Sequence, residues 1–307
     1  MDVAPINYKL TFEPDLKKFT FDGLETISIN CKKSVNVITM NSAELKIKSC
    51  IVKSDQKIIK CSFKTNEKKE ELQIKLGQKI SGVCTVDLEF VGILNDRLLG
   101  FYRSRYEQNG KTKYLATTQF EAADARRAFP CWDMPEAKAT FEISIIADNK
   151  FTAISNMPIK TTKKIENKTQ YNFQKTPLVS TYLIYLGVGE FEYLSGKAGK
   201  IQIRVVTTKG NTSKGKFSLE LGKKLLTSYE KYFGIKFPLP KLDLIAVPDF
   251  AAGAMENWGA ITFRETILLY DPKTSSTRTK QFIAEVISHE IAHMWFGNLV
   301  TMKWWND

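Results

Sequence analysis

Short segments with alternating apolar and polar positions dominate residues 1–194 of the chain. β-Branched and aromatic residues recur in them, several with a period of two, which is typical of half-buried strands. The predicted strands are 6–12, 19–30, 45–52, 72–76, 85–91, 140–146 and 182–193. Turn-forming residues separate such segments, including Asp22-Gly23 and Gln108-Asn109-Gly110. Many short strands without helical periodicity predict an antiparallel β-sandwich or saddle.

Helical periodicity appears beyond residue 194. Apolar residues recur at spacings of four and three on one face of a predicted amphipathic helix: Phe217, Leu221, Leu225, Tyr229 and Tyr232. Gly234 follows as the end of this helix, because glycine adopts the left-handed conformation that terminates helices. The strands predicted around it are 201–207, 242–247 and 260–270.

A second helix is predicted from 281 to 296, with Thr279 as its N-cap and Gly297 at its end. The chain therefore changes from a β-rich pattern to a mixed one. We predict an α+β multidomain protein, in which an N-terminal antiparallel β domain spans residues 1–194 and a second, α+β domain spans residues 195–307.

The second predicted helix contains the only two histidines of the chain. His289 and His293 are four residues apart, so that both imidazoles lie on one helix face and can bind one ion. Glu290 follows the first histidine directly and would lie beside that ion. This H-E-x-x-H arrangement is typical of zinc peptidases, in which the glutamate acts as a general base. The alternative interpretation is a solvent-facing or core histidine pair with a chance glutamate.

The formal net charge of +12 is compatible with nucleic-acid binding. The lysines, however, lie in short scattered pairs such as Lys17-Lys18 and Lys223-Lys224, without a basic stripe interleaved with aromatic residues. We therefore favour a solvated lysine-rich surface and expect no nucleic-acid partner. No apolar run approaches the ~20 residues that span a membrane, and the N-terminus lacks the pattern of a secretory signal.

The five cysteines show no C-x-x-C spacing. Their odd number also argues against a framework of disulfides. Free thiols in a reducing compartment are the favoured interpretation, and we expect a cytoplasmic protein without membrane association.

Several strings resemble the aminopeptidase N family of zinc metallopeptidases, the gluzincin aminopeptidases. The GAMEN motif of that family is matched by Gly253, Ala254, Met255, Glu256 and Asn257. Residues 294–301, directly after the second histidine, match a further signature of the family. Residues 118–133 resemble a block of its N-terminal domain. In detail the chain is most similar to the puromycin-sensitive and tricorn-interacting branch.

The resemblance implies that residues 195–307 begin a thermolysin-like α+β catalytic domain that binds one Zn²⁺ through His289 and His293. It also implies that Glu256 and Glu121 bind the α-ammonium of peptide substrates with a free N-terminus, and that Gln119 lines the first side-chain pocket. The backbone from Gly253 to Asn257 would bind the substrate as an added strand.

Two of these assignments depend on the resemblance. Without it, Glu256 is typical of an exposed strand-end carboxylate and Glu121 of a surface ion pair. The block from Arg126 to Pro130 is expected to be structural and to tie the two domains together.

In the aminopeptidase N family, which this chain resembles, the third zinc ligand is a glutamate that follows the second histidine after 18 intervening residues. Fourteen residues follow His293 here, so that this ligand is expected five positions beyond Asp307. An oxyanion-stabilising tyrosine and a helical C-terminal domain are expected there too. We predict that this missing part packs on residues 195–307, and that the 307-residue chain alone binds zinc poorly and is inactive.

The leading functional hypothesis is a zinc-dependent aminopeptidase that releases N-terminal amino acids, with Glu290 as general base. A bifunctional enzyme similar to leukotriene A4 hydrolase is a second hypothesis, although Ala254 stands where that enzyme has glycine. A non-catalytic peptide-binding or subunit-interaction fragment is the third.

Overall fold

The computed structural model describes all of residues 1–307. Thirteen strands connected mainly by turns precede residue 190: β1 (Val3–Asp15), β2 (Thr20–Asn41), β3 (Lys46–Ser54), β4 (Lys57–Ile59), β5 (Cys61–Asn66), β6 (Glu71–Ile93), β7 (Gly100–Gln108), β8 (Lys111–Gln119), β9 (Thr140–Asp148), β10 (Thr152–Ser155), β11 (Ile159–Ile165), β12 (Lys168–Phe173) and β13 (Leu186–Gly189). Two short 3-10 helices, Ala125–Arg127 and Thr181–Leu183, lie between them.

Strands and helices are mixed in the rest of the chain. In order they are β14 (Phe191–Ala198), β15 (Ile201–Thr208), α1 (Lys216–Phe233), β16 (Lys241–Val247), β17 (Ala254–Met255), β18 (Ala260–Arg264), α2 (Glu265–Leu268) and α3 (Thr277–His293). A further 3-10 turn, Thr212–Gly215, precedes α1. None of these helices combines the length and apolar character that a membrane span requires.

The strands form three sheets. A nine-stranded sheet has the order β11-β12-β9-β1-β2-β6-β3-β4, with β5 also paired to β6, and a four-stranded sheet has the order β10-β13-β8-β7. The third sheet has the order β14-β15-β16-β18-β17. Its β15, β16 and β18 are parallel, and the two-residue β17 adds to the edge in antiparallel orientation. The predicted fold class, a mainly antiparallel β region followed by an α+β region, is confirmed.

The second region's sheet begins at β14, which pairs along its whole length with β15. The predicted division between residues 194 and 195 lies within this strand and stays a prediction. One continuous apolar core joins both regions. At the centre of the N-terminal part of this core, the ring of Phe12 lies within 6.5 Å of four other phenylalanine rings.

Two strand predictions were wrong at their ends. The segment 182–193 is not one strand, because a 3-10 turn and the separate strands β13 and β14 divide it. The segment 260–270 is a strand only as far as Arg264, after which α2 begins. In both segments apolar residues are buried in strands and also in the adjoining turn or helix. Hydrophobicity alone therefore does not show where the strand ends.

The hairpin of β7 and β8 was not among the predicted strands, although its turn was. Asn109 and Gly110 both have positive φ, at 51° and 70°, and Gln108 pairs with Lys111. These values are typical of a two-residue turn of the I′ class, whose twist matches that of the adjoining strands. The hairpin is important for the site because β8 ends at Gln119.

The bounds of α3 differ from the prediction at both ends. Its N-cap is Ser276, whose hydroxyl accepts a 3.1 Å hydrogen bond from the backbone N–H of Thr279. Thr279 is therefore the capped residue and not the cap. The helix ends at His293 and not at 296, so that Gly297, with φ of 130°, lies four residues beyond its end. The end of α1 at Gly234, with φ of 67°, is confirmed.

The expected tie between domains through Arg126 and Arg127 was wrong. Arg126 pairs with Asp133 and Glu70, and Arg127 pairs with Glu70 as well as Glu44 and Asp124. All of these carboxylates belong to the N-terminal β region. The two guanidinium groups therefore cross-link loops within that region, and the contacts between regions are made elsewhere.

Candidate active site

Helix α3 presents the two histidines on the face opposite its buried side. Ile283, Ile287 and Ile291 recur every four residues and are fully buried. His289 is exposed and His293 is half-buried. Packing of the isoleucines against the core holds the helix in place, because close-packed interiors leave little room for a helix to rotate.

The two imidazoles converge on one point. Their Nε2 atoms lie 2.9 Å apart, and the rings are nearly perpendicular. Two nitrogens bound to one tetrahedral zinc at ~2.0–2.1 Å would be separated by about 3.3 Å, close to this spacing. The Nδ1 of His293 lies 2.8 Å from the carbonyl oxygen of Phe296. An Nδ1–H that donates to this carbonyl leaves Nε2 free as a metal ligand.

The histidine pair fits a metal ion, but the described chain does not complete its ligand set. No group of three or more His, Cys, Asp or Glu side chains within residues 1–307 is arranged to hold one. The further glutamate ligand that the resemblance implies stays a prediction.

Glu290 lies buried between the histidines and the core. Its side chain is only 6% exposed, and its Oε2 has no hydrogen-bond partner. Burial, and then the charges of Glu256 and Glu121, raise the pKa of this carboxyl to about 8. No cationic side chain contributes to its pKa. A carboxyl group with a pKa near neutrality is suited to accept and then return a proton.

The segment from Gly253 to Asn257 forms the edge of the third sheet. Ala254 and Met255 pair with Phe263 and Thr262 of β18, which leaves the other edge of β17 without a strand partner. Asn257 is fully buried, and its side-chain amide donates to the hydroxyl of Thr262 at 3.1 Å. The motif is thus attached to the sheet on one side only.

Glu256 is oriented by a residue of the segment that follows α3. It is 8% exposed, and its backbone carbonyl accepts a 2.8 Å hydrogen bond from the amide of Asn298. Asn298 is fully buried. The signature segment 294–301 therefore contributes a physical link between the histidine helix and the GAMEN strand.

Glu121 of the N-terminal region lies near Glu256 and His293, and Gln119 stands two residues before it at the end of β8. Gln119 is 8% exposed, and its Oε1 has no hydrogen-bond partner. Glu121, taken as a whole residue, is exposed to solvent. Partial burial among its neighbours, and then the charge of Glu256, raise its pKa, while His293 lowers it. Three segments far apart in sequence thus bring Glu121, Glu256 and Glu290 close enough to influence one another.

Two buried polar residues hold the chain directly after the GAMEN segment. The amide of Asn156 donates to the carbonyls of Leu183 and Trp258, at 2.8 Å and 2.9 Å. The ammonium of Lys241 donates to the carbonyls of Ser155 and Gly259, at 2.7 Å and 2.8 Å. These contacts join the N-terminal region to the turn that follows Glu256.

Sequence reasoning missed Tyr182 and Lys138. The hydroxyl of Tyr182 donates to the carbonyl of Gly297 at 3.2 Å, and burial, followed by Glu256 and Glu121, raises its pKa. The ammonium of Lys138 donates to the carbonyl of Asn298 at 3.2 Å, and burial lowers its pKa. No motif marks either residue, because their roles depend on contacts across more than 110 positions of sequence.

Comparison with known proteins agrees with this arrangement. The Peptidase M1 N-terminal domain matches residues 4–183, and the Peptidase family M1 domain matches residues 217–307. The chain belongs to peptidase family M1. This confirms the resemblance seen in its motifs.

The M1 relatives are named aminopeptidases. The chain is 44% identical to aminopeptidase M1 of Arabidopsis thaliana, covering 98% of this chain and 35% of that relative. It is 44% identical to the puromycin-sensitive aminopeptidase of Caenorhabditis elegans, covering 99% and 33%. It is 42% identical to mitochondrial aminopeptidase 2 of Saccharomyces cerevisiae, covering 99% and 32%. The chain therefore spans about a third of the length of these relatives.

Proposed function

We propose that this chain carries the substrate-recognition and proton-transfer part of a zinc-dependent aminopeptidase. The observation that supports this most directly is the convergence of the His289 and His293 Nε2 atoms, 2.9 Å apart, beside the buried Glu290. Membership of family M1 and the names of the relatives support the same reaction class.

We propose that His289 and His293 hold one Zn²⁺ together with a glutamate outside the described residues. When bound, zinc supplies Lewis acidity toward water and the scissile carbonyl group. Glu290 is proposed to accept the proton of the attacking water and to donate it to the leaving amine. Its burial and its raised pKa support this role, since such a carboxyl exchanges a proton readily near neutral pH.

Specificity for the first residue is proposed to come from Glu256 and Glu121. The charge of Glu256 raises the pKa of Glu121, so that the two carboxylates lie near each other. An α-ammonium group between them would offset their mutual repulsion. An internal peptide amide has no such charge, so that a peptide would be bound only by its free N-terminus. Gln119, with its unpartnered Oε1, is proposed to line the pocket for the first side chain. The free edge of β17 is proposed to pair with the substrate backbone.

Residues 195–307 are proposed to bind a C-terminal part of the same enzyme. Large apolar side chains are exposed around the ends of α1 and α3, among them Tyr232, Phe296, Val300 and Trp304 at 81%, 65%, 64% and 50%. Such a patch is typical of a docking surface. The relatives, about three times as long as this chain, support a partner of this kind.

Zinc binding can be tested without activity. Because the chain has only two histidines, every imidazole proton signal in its NMR spectrum belongs to this site. We expect both sets of signals to shift together as Zn²⁺ is added, with an affinity below that of a complete three-ligand site. His293→Ala should weaken binding further. Zn²⁺ that leaves the imidazole signals unchanged would contradict the proposed metal site.

The reaction is tested in the full-length protein that contains this chain, loaded with Zn²⁺. Aminoacyl fluorogenic amides should be hydrolysed, and the same amides with an acetylated N-terminus should not. Glu290→Gln should lower kcat about 10²–10⁴-fold. Glu285→Gln, an exposed carboxylate on the same helix, is the matched control and should retain activity. Binding of peptides without any turnover would support the non-catalytic alternative.

A further inference from the structure

Cys50 and Cys61 form a close pair outside the candidate active site. β3 and β4 are antiparallel, with Val52 opposite Ile59. Two residues beyond this pair along each segment stand Cys50, which pairs with Leu88 of β6, and Cys61, which pairs with Leu76. The Sγ of Cys61 lies 3.6 Å from the carbonyl oxygen of Cys50. The sequence numbers are eleven apart, so that the pair is created by the hairpin and not by a local motif.

The geometry of this pair suits a disulfide. The Sγ of Cys61 lies in contact with the backbone of Cys50, and disulfides join residues whose Cα atoms are about 4.4–6.8 Å apart. Both cysteines are half-buried at the border of the core. A small oxidant can therefore reach them, and little backbone movement is needed to join them.

The other three cysteines differ in accessibility. Cys31 and Cys84 are each 2% exposed, and Cys131 is fully buried. Cys31 and Cys84 are also diagonal in register, because Cys31 lies opposite Gly82 and Cys84 lies opposite Ile29. They are neighbours inside the core and serve as an internal comparison for the half-buried pair.

We propose that Cys50 and Cys61 are a reversible oxidation site that closes to a disulfide in the presence of a hydroperoxide. The Cys61 thiolate attacks one peroxide oxygen, the O–O bond breaks, and Cys61 becomes a sulfenic acid. The sulfur of Cys50 then attacks the sulfur of Cys61 and displaces its hydroxyl group, which leaves as water with the proton of Cys50. Two thiols and one hydrogen peroxide thus give one disulfide and two waters, and a small thiol reductant reverses the change.

The two thiols have different roles in this step. Burial, and then the neighbouring Cys61 thiol, raise the pKa of Cys50 to about 12. A thiol that is rarely ionised at neutral pH reacts slowly with peroxide in solution. Cys50 is therefore the resolving thiol. The short distance to Cys61 compensates for its slow reaction, since neighbouring groups react at high effective concentration.

Peptide mapping of the folded wild-type chain tests the proposal. The chain is treated with hydrogen peroxide, its remaining thiols are alkylated, and it is cleaved after lysine without reduction. This cleavage puts each of the five cysteines in a separate peptide, with Cys50 in 49–53 and Cys61 in 61–64. We expect these two peptides to be joined, with a mass about 2 Da below their sum because two hydrogens are lost. The joined form should exceed any other cysteine pair roughly tenfold.

The same treatment in urea separates structure-directed pairing from chance pairing. Cys61→Ser should leave Cys50 free for alkylation, and Cys84→Ala should leave the Cys50–Cys61 cross-link unchanged. A cross-linked fraction that is no larger in the folded chain than in urea overturns the proposal. So does recovery of Cys50 and Cys61 as singly alkylated or irreversibly oxidised peptides while the chain retains its far-UV circular dichroism.

Discussion

The buried amide of Asn298 donates a 2.8 Å hydrogen bond to the backbone carbonyl of Glu256. The backbone N–H of Asn298 in turn donates to the carbonyl of His293 at 3.0 Å. One residue thus joins the end of the histidine helix to the residue directly after β17, which carries the proposed ammonium-binding carboxylate. The distance between the proposed metal and the substrate's N-terminus depends on this connection.

Asn298→Ala should therefore destabilise the chain. The substitution leaves a buried carbonyl without its donor, and such losses cost about 1–3 kcal/mol. Unfolding in urea followed by circular dichroism should show a lower free energy of unfolding with an unchanged slope. Asn306→Ala, at an exposed asparagine eight positions further on, should stay within about 0.5 kcal/mol of the wild type. Equal midpoints for the two variants would contradict the role given to Asn298.

Gly259 should tolerate a side chain far less well than Gly199. Both have positive φ, at 76° and 57°. A Cβ at Gly259 would lie 2.7 Å from the carbonyl oxygen of Asn156, whereas a Cβ at Gly199 would meet nothing within 4 Å. Gly199→Ala should cost about 1 kcal/mol from backbone strain alone, and Gly259→Ala about 1–3 kcal/mol more. Thermal melts of the two variants measure the difference, and similar melting temperatures would show that the turn after Trp258 yields easily.

The buried carboxylate of Asp243 holds two cations. It accepts hydrogen bonds from Arg204 at 2.6 Å and from Lys241 at 2.8 Å. Burial by itself would raise the pKa of Asp243, but Lys241 and Arg204 outweigh it and lower the pKa. Asp243→Asn should cost about 3–5 kcal/mol, because Lys241 would keep a buried charge without its counter-ion.

Glu220→Gln is the matched control for this substitution. Glu220 pairs with Lys223 on the exposed face of α1. Exposed pairs contribute about 0–1 kcal/mol, so that this variant should unfold almost as the wild type does. Denaturant titration of both variants gives the comparison. An Asp243→Asn variant as stable as Glu220→Gln would show that the buried cluster is relaxed by water or by movement of Lys241.

Glu25 should make the chain less stable as the pH rises. Its side chain is 2% exposed, both carboxyl oxygens lack hydrogen-bond partners, and burial raises its pKa well above the ordinary value. Above a pH of about 4.5 the unfolded state loses this proton and the folded state keeps it, so that the unfolded state binds fewer protons and stability falls with pH.

Glu25→Gln removes this dependence. The stability of the variant relative to the wild type should increase steadily as the pH rises from about 4.5 toward neutrality. Free energies of unfolding at a series of pH values provide the measurement. Glu136→Gln, at an exposed carboxylate, should show no such trend. A constant difference between Glu25→Gln and wild type across the range would show that Glu25 is ionised in the folded chain.

The chemistry of the site could be predicted from local sequence. The spacing of His289 and His293 determines that both imidazoles share a face on any helix, and the presence of α3, though not its bounds, follows from its own periodicity. The end of α1 at Gly234 could likewise be predicted from local sequence. The strings around Glu256 and Glu121 indicated carboxylates at the substrate, although their partners could not be deduced from spacing.

Tertiary structure decided which distant residues support that chemistry. Tyr182, Lys138 and Asn156 contact the site through backbone carbonyls more than 100 positions away in sequence. A carbonyl is present at every residue and therefore leaves no pattern in the sequence. The partners of Arg126 and Arg127, and the contact between Cys50 and Cys61, likewise depend on how separate segments pack. Local sequence determines the reactive groups, whereas long-range packing determines their distances, burial and charge environment, because these arise only when separate segments exclude water together.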